Sequence, residues 1–314
     1  MPSSLVTRIR TVPKVPPAGG ASTYGARTGS VGPVASCLAV RERAETGSLE
    51  TGPPSGHQLR VLHTSDVHIG HVRGPHGTHR DVCQCPIHAL AAAVAQHEAD
   101  VLLIAGDLFD HARLRRIDVA HTMELLGSVD ASVIIIPGNH DVHDEQSLWG
   151  THADHEHRLE VTGAGVIFLD DPEGATLHFG EHDLTLWGRA MDSHDADYRP
   201  LAGVPARPDA GWFIAAGHGH FQRTPDDAHR SSPISAEEIE ATGADYVALG
   251  HWHVTTDVSV GDVLAWYPGA PMGMPSNGTA SLVTFERRAD GVREPVSVSH
   301  VAVTPPGDGC AEMT

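Results

Sequence analysis

Apolar residues along this chain come in short unbroken runs, and turn-forming residues follow each run. Val101–Ala105 and Val133–Ile136 are wholly apolar, Trp212–Ala216 and Tyr246–Leu249 nearly so, and β-branched residues are frequent among them. Runs of this length predict strands buried on both faces of a sheet rather than half-exposed ones. Leu59–His63 reads as an opening strand. Between the strands, Pro86–Ala99 predicts a helix, with Pro at its first turn and alanines inside it, and Leu114–Leu126 predicts a second. Ser235 and Glu238 form a capping box for a third helix that runs to about Ala241, and Gly243 ends it. The shorter runs Val166–Leu169, Thr176–Phe179 and Leu184–Trp187, joined by Gly/Asp turns, read as strands of hairpins. Val263–Tyr267, Leu282–Glu286 and Val296–Val303 complete the set. The order is β-α-β-α-β first and hairpins later. This predicts an α/β fold of two packed mixed sheets with helices outside, over residues 57–304. No internal repeat is present.

Residues 1–56 differ. They are rich in Gly, Pro, Ser and Thr, show no sustained period, and read as a disordered N-terminal tail. The stretch near Val34–Glu45 reads as a short turn of helix within it. Residues 305–314 read as a flexible C-terminal tail. Arg8 and Arg10 are not followed by the apolar core of a signal peptide, and no apolar run approaches the length of a membrane span.

Composition narrows the function. Of 314 residues 40% are hydrophobic, enough for a sizeable core, and the net charge is -19. Lys14 is the sole lysine. A protein that grips nucleic acid by its phosphates usually carries a basic patch, and the bulk charge argues against strong unaided binding of that kind. The four cysteines, Cys37, Cys83, Cys85 and Cys310, match neither a disulfide framework nor a zinc knuckle. They read as incidental thiols of a reducing, cytoplasmic compartment.

The chemistry sits where the apolar runs end. Asp66-Val67-His68, Gly106-Asp107-Leu108-Phe109-Asp110, Gly138-Asn139-His140-Asp141, His218-Gly219 and Gly250-His251-Trp252-His253 each follow a predicted strand, the position at which open sheets hold ligands. Together they offer carboxylate, amide and imidazole donors. Mixed N and O donors suit Mn, Fe, Zn or Ni better than Mg or Ca. A carboxylate has two oxygens and can bridge two ions, and two ions about 3.5–4 Å apart clamp the attacking and leaving oxygens of an in-line phosphoryl displacement. Each motif has an ordinary reading as a turn, cap or solvated histidine. His152, His155, His157, His178, His182, His194 and His229 are read that way, while His220 competes with His218 for a ligand role. Five motifs at five strand ends do not share the ordinary reading.

These motifs resemble those of the calcineurin-like metallophosphoesterase superfamily, over about residues 58–303. The resemblance implies a four-layer α/β/β/α sandwich and two divalent metal ions, with Mn favoured. It places Asp66, His68 and His253 on one metal, Asn139, His218 and His251 on the other, and Asp107 on both. It makes His140 the catalytic histidine that protonates the leaving oxygen, with Asp110 orienting it as a dyad partner. Leu62–Gly70, Leu102–Asp110, Ile136–Asp141 and Tyr267-Pro268-Gly269 are similar to segments of the nuclease subunits of double-strand-break repair. That branch implies a phosphodiesterase related to DNA-repair exonucleases, a homodimer and an ATPase partner subunit. The capping domain and partner-docking helices of that branch are not expected here. Arg113, Arg115 and Arg116, with His111 beside them and Arg73 in a Gly/His-rich loop, are the candidate substrate-binding residues. Arg113–Arg116 also suits a solvated helix face. Two alternatives stand beside the nuclease: a small-molecule phosphatase or cyclic-nucleotide phosphodiesterase, and a non-catalytic metal-binding scaffold. No membrane partner is expected.

Overall fold

A computed structural model describes residues 9–11, 58–71, 83–144, 148–149, 166–195, 197–224, 227, 230–271 and 278–304. In chain order the elements are β1 (Ile9–Thr11), β2 (Gln58–Thr64), α1 (Cys85–His97), β3 (Val101–Ala105), α2 (Arg116–Gly127), β4 (Ser132–Ile136), β5 (Val166–Phe168), β6 (Ala175–Phe179) and β7 (Leu184–Gly188). They continue with β8 (Trp212–His218), β9 (His220–Phe221), β10 (Pro233–Ile234), α3 (Ala236–Ala241), β11 (Tyr246–Gly250), β12 (Thr256–Asp257), β13 (Leu264–Tyr267), β14 (Thr279–Glu286) and β15 (Ser297–Ala302).

Among the described residues the strands form two mixed sheets and a separate parallel pair, β9 with β10. A six-stranded sheet runs β15-β14-β2-β3-β4-β5, with β2 through β5 parallel and β14 and β15 antiparallel. A seven-stranded sheet runs β1-β6-β7-β8-β11-β13-β12, parallel through β7, β8, β11 and β13. Alternation along the strands builds three apolar layers. On β2, Leu62 faces α1 and α2 with Ile87, Leu90, Val119 and Leu126. Leu59 and Val61 face the opposite way and meet Ile214, Tyr246 and Ala248 of the other sheet. Beyond that sheet, Phe213, Val247 and Tyr267 pack with Ile239 of α3. This is an α/β fold with two mixed sheets flanked by helices, as the periodicity predicted.

Local chemistry sets the boundaries. The α3 capping box is present: Glu238 N–H donates to Ser235 Oγ and Ser235 N–H to Glu238 Oε2. α1 stops at Glu98, which takes a left-handed conformation (φ 50°). α2 starts two residues later than its hydrophobic pattern predicted. Arg115 is extended there (φ −69°, ψ 143°), and its guanidinium clasps Asp118 at 2.7 Å through two nitrogens.

Two readings change. β1 lies within the segment taken as a tail and pairs in parallel with β6, Ile9 opposite Thr176; the remainder of residues 1–57 lies outside the described set. Cys83 is a buried free thiol, but Cys85 is disulfide-bonded, so incidental thiols do not describe both. Cys37 and Cys310 fall outside the described residues, as does the segment Val34–Glu45. Among the described residues no helix is long and apolar enough to cross a membrane.

Candidate metal centre

The carboxyl ends of β2, β3, β4, β8 and β11 converge. Parallel pairing of β2, β3 and β4 aligns Thr64, Ile104 and Ile135 at one edge of the first sheet. Pairing of β8 with β11 sets His218 opposite Gly250 in the second. Hydrogen bonds then fix the loops: Asp66 N–H donates to Gly106 O within the first sheet (3.1 Å), and His251 N–H donates across the sheets to Asp66 Oδ2 (3.0 Å).

The backbone is forced at this edge. Asp66, His68, Asp107 and His251 all have positive φ (54°, 49°, 54° and 110°), a conformation that costs non-glycine residues energy and that clusters at functional sites. The preceding glycines are required by space. A Cβ on Gly106 would enter the His218 ring, one on Gly138 would strike Asp107 Oδ1, and one on Gly250 would strike the Ala105 carbonyl.

Two groups of donors result, and they meet on one atom. In the first, Asp66 Oδ1 lies 3.4 Å from His253 Nε2 and 3.9 Å from His68 Nε2, and the two imidazole nitrogens face each other at 3.2 Å. In the second, Asn139 Oδ1 lies 2.9 Å from both His218 Nε2 and His251 Nδ1. Asp107 Oδ2 stands between them, 3.9 Å from His68 Nε2 and 3.4 Å from His218 Nε2. The Asp and His donors form three overlapping clusters, Asp66/His68/His253, His68/Asp107/His140 and Asp66/Asp107/His218.

These residues fit divalent cations on three counts. Asp66 Oδ1 is buried with no hydrogen-bond partner, which is costly unless a further group satisfies it. The Nε2 atoms of His68 and His253 converge to 3.2 Å beside the buried Asp66 carboxylate, as ligands of one ion do. Two carboxylates, Asp66 and Asp107, are almost fully buried (2% exposed each).

Electrostatics agree. Burial pushes both carboxyls up, but neighbouring histidines more than offset it, His253 and His218 for Asp66 and His218 for Asp107, so both sit below the usual carboxylate range. Burial pulls His218 down, yet the Asp107 charge and hydrogen bond raise it to about 9. Burial, aided by His218, lowers His251 to about 4. Burial also lowers His68, while the Asp66 carboxylate 3.4 Å from its Nε2 raises His253.

His140 stands at the rim, its side chain 44% exposed and its ring edge-on to His68 at 4.7 Å between centroids. Its Nδ1 meets the backbone carbonyl of Asp110 at 2.8 Å, whereas the Asp110 carboxylate is 3.8 Å away. The expected carboxylate dyad is thus a carbonyl contact. The carboxylate lies nearer His68 Nδ1 (3.3 Å) and His71 Nδ1 (3.5 Å). His140 N–H also donates to Asp107 Oδ1 at 2.8 Å.

The remaining candidates divide. His220 leaves the ligand set: its Nδ1 accepts from Trp252 Nε1 (3.1 Å), and its Nε2 faces Asp227 (3.6 Å). Arg115 is committed to Asp118, while Arg113 and Arg116 are exposed beside it. His111 Nδ1 accepts from Arg113 N–H. Arg73 lies outside the described residues. Sequence reasoning assigned Asp141 no role. It is buried, and its two oxygens accept from Gly138 N (2.7 Å) and Phe109 N (3.1 Å), locking the β3 and β4 loops together. Burial and the Asp107 charge raise it to about 7. The adjacent Asn-His-Asp motif was its only sequence signal.

Residues 59–255 match the model of the calcineurin-like phosphoesterase family. The chain belongs to this family. Among curated relatives, it is 25% identical over 229 residues to the DNA double-strand break repair protein Mre11 of Methanopyrus kandleri, covering 68% of this chain and 49% of that one. It is 26% identical over 246 residues to one component of the nuclease SbcCD of Bacillus subtilis, covering 68% and 62%. It is 33% identical over 209 residues to Mre11 of Aeropyrum pernix, covering 62% and 49%. The chain therefore spans about half to three-fifths of the length of these relatives.

Proposed function

We propose that this metallophosphoesterase hydrolyses phosphodiesters, as a nuclease acting on DNA ends. The observation that carries the hydrolytic part is the meeting of both donor groups on Asp107 Oδ2 with His140 at their rim. Asp66, His68, His253 and Asp107 would hold one cation, and Asn139, His218, His251 and Asp107 the other; Mn suits this N/O set, with Fe, Zn and Ni as alternatives. When bound, the cations supply the Lewis-acid charge that polarises the phosphoryl group.

The chain's own residues do the rest. The Asp110 carbonyl accepts the Nδ1 proton of His140. This fixes the tautomer and leaves Nε2 to exchange a proton with the leaving oxygen. Asp107 holds the backbone of His140 through the bond to its amide, so the ligand and the acid share one support. Asp141 keeps the loops that bear them at fixed spacing. The orienting group is the Asp110 carbonyl rather than its carboxylate, which is placed to steer the His68 ring.

The diester and DNA assignment is supported by the three relatives above, all named for DNA repair or nuclease function, and by a rim at which His140 and His253 are both about half exposed. The test is Mn-dependent hydrolysis of end-labelled single- and double-stranded DNA, with Asp107→Ala as control. Nucleotide release that is lost in the variant supports the proposal. Intact DNA beside hydrolysis of a generic phosphodiester removes the nuclease assignment and leaves a small phosphorylated substrate.

A further inference from the structure

A column of three side chains rises beside the second donor group. At its foot is Tyr267, fully buried, whose hydroxyl donates to Gly219 O at 2.7 Å. Trp252, between the ligand residues His251 and His253, stacks on Tyr267 with ring centroids 4.6 Å apart and planes 18° from parallel. The Arg223 guanidinium lies over the Trp252 ring, 4.4 Å from the ring centroid. His220 ties the column sideways to the site: it accepts from Trp252 Nε1, and its ring lies 5.9 Å from that of His251.

The turn that carries Arg223 is arranged to leave that guanidinium unspent. Its natural counter-ion is Asp227. Yet Asp227 Oδ2 is occupied by the amides of Arg223 (3.0 Å) and Thr224 (2.9 Å) and by the Thr224 hydroxyl (3.1 Å), while Oδ1 faces His220. Among the described residues the Arg223 guanidinium makes no hydrogen bond or ion pair, only the contact with Trp252. Arg230 closes the same turn through its amide to Asp227 O (3.0 Å) and adds a second exposed cation. An arginine stacked on an aromatic ring keeps its N–H fork available for the paired oxygens of a phosphate. In a chain of net charge -19, a cation held on a rigid column next to a metal ligand is a specific placement.

We infer that Arg223, seated on Trp252 and assisted by Arg230, binds a second backbone phosphate of a nucleic-acid strand whose scissile phosphate lies at the metal centre. This deepens the proposed function and rests on it. It moves the recognition surface from the Arg113–Arg116 side of the site to the turn after β9.

The test is binding of a short fluorescein-labelled oligothymidylate with phosphorothioate linkages, which resist hydrolysis, to the Mn-loaded full chain. The proteins compared are wild type, Arg223→Gln, Arg223→Gln/Arg230→Gln, and Arg288→Gln as a control for net charge. Arg288 pairs with Asp290 and Glu294 beyond Glu286, which lies opposite Gln58 at the far end of β2 from Asp66.

Arg223→Gln is expected to weaken binding about tenfold, as loss of a charge-assisted phosphate contact does. It is also expected to lower the slope of log affinity against log salt by about 0.7. Arg288→Gln is expected to do neither. Equal weakening by Arg288→Gln, unchanged affinity in Arg223→Gln, or no binding by the wild type would each overturn the inference. Failure of the underlying reading is seen separately, as absence of Mn-dependent hydrolysis of thymidine 5′-phosphate p-nitrophenyl ester by the wild type.

Discussion

Tyr246→Phe should destabilise this protein far more than the loss of one oxygen suggests. His63 is fully buried between the two sheets, on the apolar face that carries Leu59 and Val61. Its Nδ1 meets the Tyr246 hydroxyl at 2.9 Å across the sheet gap, and its Nε2 has no partner. Removing the hydroxyl strands the ring in an apolar layer, at a cost of about 1–3 kcal/mol. In the double variant His63→Phe/Tyr246→Phe the stranded group is gone. The loss should fall short of the sum of the single losses by about 1 kcal/mol. Burial holds His63 well down, at about 3 against 6.5 when free. The folded state therefore keeps it neutral, while the unfolded chain protonates it below pH 6.5. Its contribution is full above that pH and is lost as pH falls toward 3, at up to about 1.4 kcal/mol per pH unit. His63→Phe should remove that slope. Urea unfolding curves across this range decide the matter. A Tyr246→Phe loss below about 0.3 kcal/mol, strict additivity, or an unchanged acid slope in His63→Phe would refute the reasoning.

Gly106→Ala should abolish Mn binding and activity together, because the new methyl occupies the His218 ring position at a residue with φ 91°; retained Mn affinity in calorimetry would count against the packing argument. His140→Gln should lower kcat by about 100- to 10,000-fold while the Mn isotherm stays intact, and parallel loss of metal would place His140 in the ligand set instead. Metal binding should release protons and tighten as pH rises toward 9, because His218 in the metal-free chain is held protonated up to about 9. Titration in buffers of differing ionisation heat reads this, and a proton count of zero at neutral pH would contradict it.

The ligands were legible because each follows a predicted strand. β3 and β8 are apolar and buried along their length, with no room for a charged residue until they end, so Asp107 and His218 announce the sheet edge by their position; Asp66 follows a mixed strand that carries Arg60 and His63. The glycines before Asp107, Asn139, His218 and His251 were legible as tight turns. Which atom each would strike with a Cβ was not, because that depends on loops far apart in sequence. The Asp110–His140 pairing was half legible: the family resemblance implied it, but the carbonyl rather than the carboxylate makes the contact, and only coordinates separate the two. Arg223 carried no signal, since its placement depends on Trp252 and Tyr267 stacking from separate segments. The strand Ile9–Thr11 was hidden by its Pro/Gly-rich surroundings, and it is too short to show a period.

Direct counting of bound metal tests the central claim. Purified chain equilibrated with Mn and passed through a desalting column, then assayed for metal and for phosphodiester hydrolysis, should hold two Mn per chain and lose hydrolysis when chelated. Asp107→Ala should lose both occupancy and turnover, because one oxygen of Asp107 lies between the two donor groups. Full activity in excess chelator, or two Mn retained by Asp107→Ala, would contradict the account.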